Sequence, residues 1–370
     1  MNNTVQGTDA LIPVFDGHND VLMQLWNLHR QNPEEAFLKG PASGQMDLPR
    51  CREAGLAGGL FAAWVPSPRF DAAKTVPDLT IDSRFLVGGT QKHPDFSPTP
   101  TFEHARDVTL AMMAFLLRIE AQSQGAVKIC RTAADIRDAM QKQVLAVVMH
   151  IEGAEGIDPD LYTLDVLYQM GLRTLGPVWS RPNIFGHGVP FKFDTSPDTG
   201  EGLTELGKKL IQACNQKRIL VDLSHINEKG FWDVAELSTA PLVASHSNAF
   251  ARCAQSRNLT DRQLAAIAET DGFVGLNFAT PFLREDGKNS AETGTEDYLH
   301  HLDYLLEKLG EDRVGFGSDF DGAPMAPFMQ DVRGLPTLIN AMRKAGYGER
   351  LIAKIAHENW VNVLERTWGE

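Results

Sequence analysis

Along this chain, short unbroken apolar runs alternate with longer stretches whose apolar positions recur at three- and four-residue spacing. Runs of the first kind, such as V-L-A-V-V-M-H-I-E-G over 144–153 and G-F-V-G-L-N-F over 272–278, predict strands covered on both faces. Eight such strands start near residues 12, 56, 144, 172, 219, 241, 272 and 313. Stretches of the second kind predict helices, beginning with Val21–Gln31, which Asn32-Pro33 separates from a second helical piece. Further helices are expected over Thr101–Ile119, Thr132–Gln143, Asp158–Met170, Thr204–Gln216, Glu228–Ser238, Thr260–Glu269, Thr295–Leu309, Asp331–Ala345 and Glu349–Glu365, with Thr101 and Thr260 as N-caps.

Strands separated by helices are the pattern of parallel crossover units. A doubly wound open sheet would place a glycine-rich phosphate turn after its first strand, but Ile12 to Asp20 reads I-P-V-F-D-G-H-N-D. The polar residues gather instead at strand ends, which a (β/α)8 TIM-type barrel brings around one pocket. The expected fold is therefore an α/β barrel, with 1–370 as a single domain, long loops at 66–100 and 179–202, and helices at the C terminus. The 66–100 segment, rich in Pro, Asp, Ser and Gly, reads as a loop that overhangs a site, meets a second copy, or merely crosses the surface.

Composition narrows the classes of partner. The 370 residues, 43% hydrophobic and 22% charged, can build a large core without disulfides. Cys51, Cys130, Cys214 and Cys253 are scattered with no C-x-x-C pair, which argues against a thiolate zinc knuckle and fits a reducing compartment. A net charge of -13 with no basic run argues against nucleic acid. The opening M-N-N-T-V-Q-G-T-D lacks the features of a signal peptide, and the most apolar windows are too short to span a bilayer. The expectation is a cytoplasmic protein with no membrane partner.

The candidate chemistry lies where the apolar runs stop. His18 and Asp20 follow the first strand, Glu152 the third, His225 the fifth, His246 the sixth and Asp319 the eighth. Each has a plainer alternative: a turn capped by Asp16 and Asn19, helix caps through the serines beside His225 and His246, a turn at Asp319 with Gly322. Six such groups at five strand ends point to bound cations, since crowded carboxylates repel one another unless neutralised. Two cations suit six ligands better than one. Imidazole and carboxylate without thiolate favour zinc, with manganese, cobalt and iron as alternatives and calcium or magnesium less suited. Paired ions sharing a carboxylate can hold a hydroxide and polarise a carbonyl, so hydrolysis is the economical use. Redox chemistry is the alternative, though no haem or flavin signature accompanies the site.

Taken in order, D-G-H-N-D (Asp16 to Asp20), H-I-E-G (His150 to Gly153), D-L-S-H (Asp222 to His225), S-H-S-N-A (Ser245 to Ala249), S-R-N (Ser256 to Asn258) and G-F-G-S-D-F-D-G (Gly315 to Gly322) resemble the membrane dipeptidase, or renal dipeptidase, family: peptidase family M19 of the amidohydrolase superfamily. The resemblance implies a barrel with two zinc ions, His18 and Asp20 on one, His225 and His246 on the other, and Glu152 bridging both. It places Asp319 beside the first ion, handling the proton of an attacking, metal-bridging hydroxide. Asp321, which strand alternation would turn to the same side, is a candidate for supporting the ligands. Arg257 matches the family arginine that grips a dipeptide's terminal carboxylate; an ordinary surface ion pair is the alternative.

The implied activity is hydrolysis of dipeptides, L-Xaa-D-Xaa among them, by a homodimer. An N-acyl amino acid deacylase or a lactonase on the same binuclear site is the near alternative. A binding or structural protein that had kept only the barrel would show missing ligands, and all six are present.

Two positions depart from the family pattern. Vertebrate members have T-H after the fourth strand, where the histidine steadies the tetrahedral intermediate, whereas this chain has Val178-Trp179. The indole of Trp179, facing substrate, donates only one neutral hydrogen bond. His187, in the glycine-flanked I-F-G-H-G, is the candidate replacement donor near the substrate, with a solvent-facing loop histidine as the alternative. At Asn277 to Ala279, N-F-A stands where many relatives have N-F-Y, removing a tyrosine and admitting a bulkier side chain or another small amide.

Overall fold

Strand-forming runs that are apolar on both faces need cover on both, and the computed structural model, which describes residues 11–67 and 99–369, shows how they obtain it. Its strands are β1 (Val14–Asn19), β2 (Leu56–Trp64), β3 (Val127–Ile129), β4 (Leu145–Glu152), β5 (Leu172–Gly176), β6 (Leu220–Val221), β7 (Val243–Ala244), β8 (Phe273–Asn277) and β9 (Val314–Gly317). All pairings between them are parallel, in the order β6-β5-β4-β2-β1-β9-β8-β7 with β3 beside β4. The outer strands β6 and β7 meet through a bridge between Asp222 and Val243 and a 2.8 Å hydrogen bond from Leu223 N to Val243 O. Eight strands thus form a nearly closed (β/α)8 TIM-type barrel. The loop expected at 66–100 lies, apart from its ends, outside the described residues.

Side-chain alternation along β4 divides the interior from the helical shell. Ala146 and Val148 join Phe15, Leu60, Leu220, Val243 and Phe273 in one apolar cluster, while Val147, Met149 and Ile151 belong to the larger cluster shared with the helices. His150 and Glu152 continue the inward column, so Glu152 stands at the carboxyl end of the barrel. The opposite end is closed by Trp360 of the helix Asn359–Trp368, whose ring centroid lies 4.2 Å from that of Phe273 and whose indole donates to Phe316 O at 2.7 Å. Any side chain at Gly17 would collide with that indole and with the Ser245 and Phe316 carbonyls.

The expected caps form: Thr101 accepts from His104 N, and Thr260 forms a capping box with Gln263. Several features differ from expectation, a short helix Thr280–Leu283 among them. β3 was not foreseen; it pairs with β4 at residues 145–147, ahead of the point where β5 joins at Met149. The helix Leu48–Ala54 was not foreseen either, and it starts where Asp47 accepts from Arg50 N with Pro49 in the first turn. The last expected helix is divided by a π-helical turn, Lys354–Glu358. Among the described residues no helix is long and apolar enough to cross a membrane.

Candidate metal centre

Five strands deliver the candidate ligands to the carboxyl end of the barrel. His18 lies within β1 with Asp20 just beyond it, Glu152 ends β4, and His225, His246 and Asp319 follow β6, β7 and β9. His225 and Asp319 adopt left-handed backbone conformations, φ 71° and 63°, which for residues with side chains cost about 1–3 kcal/mol each. Neighbouring strands hold these turns: Asp319 N donates to His18 O at 3.0 Å and Asp20 N to Phe320 O at 2.7 Å. All six groups are buried, none more than 8% exposed.

Their ligand atoms converge. Glu152 Oε1 lies 2.7 Å from His225 Nε2, 3.4 Å from His246 Nε2 and 3.6 Å from His18 Nε2. His18 Nε2 is 3.4 Å from Asp20 Oδ2, and His225 Nε2 is 3.0 Å from His246 Nε2. Glu152, His225 and His246 form one cluster of donors all within 4.8 Å of one another, and His18, Asp20 and Asp319 form another. Donors about 2.0–2.1 Å from one tetrahedral ion stand about 3.3 Å apart, the scale of these separations.

Whether the residues fit a cation can be tested on their hydrogen bonds. Both ring nitrogens of His18 and Oδ1 of Asp20 are buried with no partner, a costly arrangement unless something binds there. For His246 the tautomer follows from its neighbours. Asp222 accepts from Ser245 Oγ, so the serine proton is committed to the carboxylate, and Ser245 Oγ must accept from His246 Nδ1 at 2.7 Å. That leaves a lone pair on Nε2, facing Glu152. His225 is oriented likewise by Ser180 Oγ, 2.8 Å from Nδ1. The donor set fits divalent cations.

For His225 and His246 the electrostatics agree. Burial, then the charges of Arg257 and His18, hold His225 well below the usual imidazole range; burial, then His18 and Arg257, do the same for His246. Both therefore favour the neutral, metal-binding form. His18 differs: burial pulls it down, but Glu152, Asp20 and Asp319 outweigh it and push the group up to about 10, favouring an imidazolium whose positive charge a bound cation would replace. Glu152 is held well above the usual carboxylate range by burial, with His18 opposing and Asp20 and Asp319 adding to the effect.

Of the remaining sequence candidates, Arg257 lies beside the cluster, with Nη2 donating to His246 O at 3.1 Å and Nη1 to Ser247 Oγ at 3.4 Å. It is 4% exposed, so it makes no surface ion pair, and its Nε has no acceptor. Trp179 is half-buried, its ring 5.8 Å from that of His225 and between those of Trp64 and Phe191. His187 is not brought into the cluster: its ring is directed at Gly202 O, 3.4 Å away. Asp321 turns toward another segment, its Oδ1 accepting from Gln45 N at 2.5 Å. Strand alternation does not extend that far, because Asp319 and Asp321 (φ 67°) are both left-handed.

Sequence reasoning missed the residues that orient the ligands. Asn277 Nδ2 donates to Asp319 Oδ2 at 2.9 Å. Ser180, Ser245 and Asp222 set the imidazoles as described, and His150 packs edge-on to His18 with its own Nδ1 on Thr174 Oγ1 at 2.9 Å. Arg181, fully buried, pairs with Glu155 at 2.7 Å beneath the Trp64 and Trp179 rings. Asp222, Ser245 and Asn277 sit in or beside motifs already singled out, which was the available signal.

Comparison with known proteins gives a consistent result. The family described as Membrane dipeptidase (Peptidase family M19) matches residues 5–368. A crystal structure of a metallo peptidase from Rhodobacter sphaeroides, liganded with a phosphinate mimic of the dipeptide L-Ala-D-Ala, is 53% identical with a TM-score of 0.91, covering 97% of this chain and 100% of that one. The crystal structure of dipeptidase AC, a metallo peptidase of family M19, is 52% identical with a TM-score of 0.90, covering 98% and 100%. A Klebsiella pneumoniae protein described as "Uncharacterized protein in pqqA 5'region" is 46% identical over 264 residues, 71% of this chain and 97% of that one. A family match running almost from end to end, with two solved relatives above half identity, means that this chain belongs to the membrane dipeptidase family, peptidase family M19.

Proposed function

We propose that this protein is a metal-dependent dipeptidase that hydrolyses dipeptides, L-Xaa-D-Xaa among them, with two zinc ions as the preferred cations. The observation that carries this reading is the position of Glu152, whose Oε1 lies within 3.6 Å of an imidazole nitrogen from each of three other strand ends. His18 and Asp20 would hold one cation, His225 and His246 the other, and Glu152 would serve both. When bound, such a pair supplies an acidified water as nucleophile and a Lewis acid for the scissile carbonyl. Asp319, with Oδ2 held by Asn277, has its other oxygen to accept a proton and return it to the departing amine.

The buried fork of Arg257, with an unpaired Nε, suits a terminal carboxylate. Trp179, with its ring 5.8 Å from that of His225, would wall that side of the substrate. The Rhodobacter sphaeroides relative, liganded with a mimic of L-Ala-D-Ala, supports the choice of substrate class. Cys51, Cys130, Cys214 and Cys253 are all free and buried, which suits a cytoplasmic setting, and a homodimer is the proposed assembly.

The test is an assay of protein with quantified metal against L-D dipeptides, their C-terminal amides and N-acyl amino acids, with Glu152→Gln in parallel. Expected are turnover of free dipeptides, about two metal equivalents per chain, and loss of both turnover and one equivalent in the variant. Turnover of N-acyl amino acids alone, or an unaffected variant, would contradict the reading.

A further inference from the structure

The 179–202 segment carries one side chain whose place suggests a task. Its backbone is stitched on one side to the strand end that bears His225: Val189 N donates to His225 O at 2.7 Å, and Gly188 bridges to Ile226. On the other side it is stitched to the residues next to Arg257. Ser256 Oγ donates to Pro190 O, Lys192 N donates to Ser256 Oγ at 3.2 Å, Ser256 N donates to Lys192 O at 3.0 Å, and Phe193 bridges to Gln255. Phe191 lies within the second set, flanked by Pro190 and Lys192, two residues beyond Val189.

Its ring meets that of His225 edge-on at 6.0 Å and that of Trp179 at 5.5 Å, and it lies parallel to Phe282, 7° between planes, at 6.0 Å. The Arg257 guanidinium carbon is 5.6 Å from the Phe282 ring centroid. Ala279 and Ala323 complete the apolar patch, and Phe191 itself remains half-buried. The patch therefore runs from a ligand imidazole to the buried arginine, and its four members, Phe191, Phe282, Ala279 and Ala323, carry no side-chain hydrogen-bonding group.

We propose that Phe191, backed by Phe282, is a specificity-determining residue that packs against the side chain of a dipeptide's second residue and favours an apolar one. This rests on the dipeptidase reading. A dipeptide held by its carboxylate at Arg257, with its scissile carbonyl beside Glu152 and His225, must lay its second residue across the interval that Phe191 and Phe282 line. A branched aliphatic side chain there removes apolar surface from water on both partners, whereas glycine removes almost none.

The experiment compares kcat and KM for L-Ala-D-Leu and L-Ala-Gly on wild type, Phe191→Ala and Phe191→Leu, with metal content measured for each. Phe191→Ala should lower kcat/KM for L-Ala-D-Leu about tenfold more than for L-Ala-Gly, mostly through KM, and Phe191→Leu should recover most of the difference. Equal losses on the two substrates, or a loss tracking metal content, would overturn the proposal and leave the dipeptidase reading standing. Wild type that hydrolyses neither substrate would overturn both.

Discussion

Arg181 and Arg257 are both buried, at 0% and 4% exposure, and both lie close to the carboxyl ends of barrel strands. Arg181 completes its bonding inside the protein: Nε donates to Glu155, Nη1 to Ser67 Oγ at 2.7 Å and Nη2 to Val65 O at 2.8 Å. Arg257 does not. Among the described residues it has no carboxylate within ion-pair distance, its Nε has no acceptor, and burial pushes it down to about 10. Desolvating an ion costs several kcal/mol, so an arginine left incomplete is a site prepared for an anion, while a completed one ties chain segments together. Arg181 joins the end of β2 to the segments after β4 and β5, behind the Trp64 and Trp179 rings.

The largest expected effect that would sharpen this contrast is on stability. Arg181→Met leaves Glu155 charged, buried and alone, and should cost about 3–5 kcal/mol in denaturant unfolding. The double variant with Glu155→Gln should regain much of that loss, and a double variant as unstable as the single would break the interpretation. Arg257→Met should instead change stability by less than about 1 kcal/mol while lowering kcat/KM for free dipeptides by about 100- to 1,000-fold. C-terminally amidated dipeptides should be spared. Equal destabilisation by the two arginine variants would contradict the comparison.

A smaller effect is expected from the groups that aim the ligands. Ser245→Ala removes the acceptor for His246 Nδ1 and should weaken metal affinity about 10- to 100-fold in chelator competition. The smallest concerns an arginine that is paired but not buried. Arg137 makes two short bonds to Glu365, at 2.6 and 2.7 Å, yet its side chain is 45% exposed. Arg137→Ala should cost no more than about 1 kcal/mol by the same unfolding measurement, because solvent screens the pair.

The difference between the arginines also marks how far sequence reading reaches. The eight barrel strands were legible because each is an apolar run bounded by helical sequence, and His18, Glu152, His225, His246 and Asp319 were legible because such runs end in them. β3, three residues long between two helices, carries too little pattern to register. The helix Leu48–Ala54 hides behind Pro49, which reads as a break although the first helical turn accepts it. Arg181 gave no local sign, since Glu155 and Ser67 are 26 and 114 residues away in the chain. Asp321 was misplaced by extending strand alternation past the end of β9, where left-handed residues turn the chain. His187 drew attention through its flanking glycines, but its ring is directed at Gly202 O.

The central claim is that Glu152 stands between two cations held by strand ends on either side of it. Anomalous diffraction from crystals of zinc-loaded protein, recorded at the zinc absorption edge, tests this most directly. The account predicts two peaks, one beside His18 and Asp20 and the other beside His225 and His246, each at bonding distance from the Glu152 carboxylate. Peaks that leave Glu152 out of contact, or zinc bound only elsewhere on the chain, would contradict it.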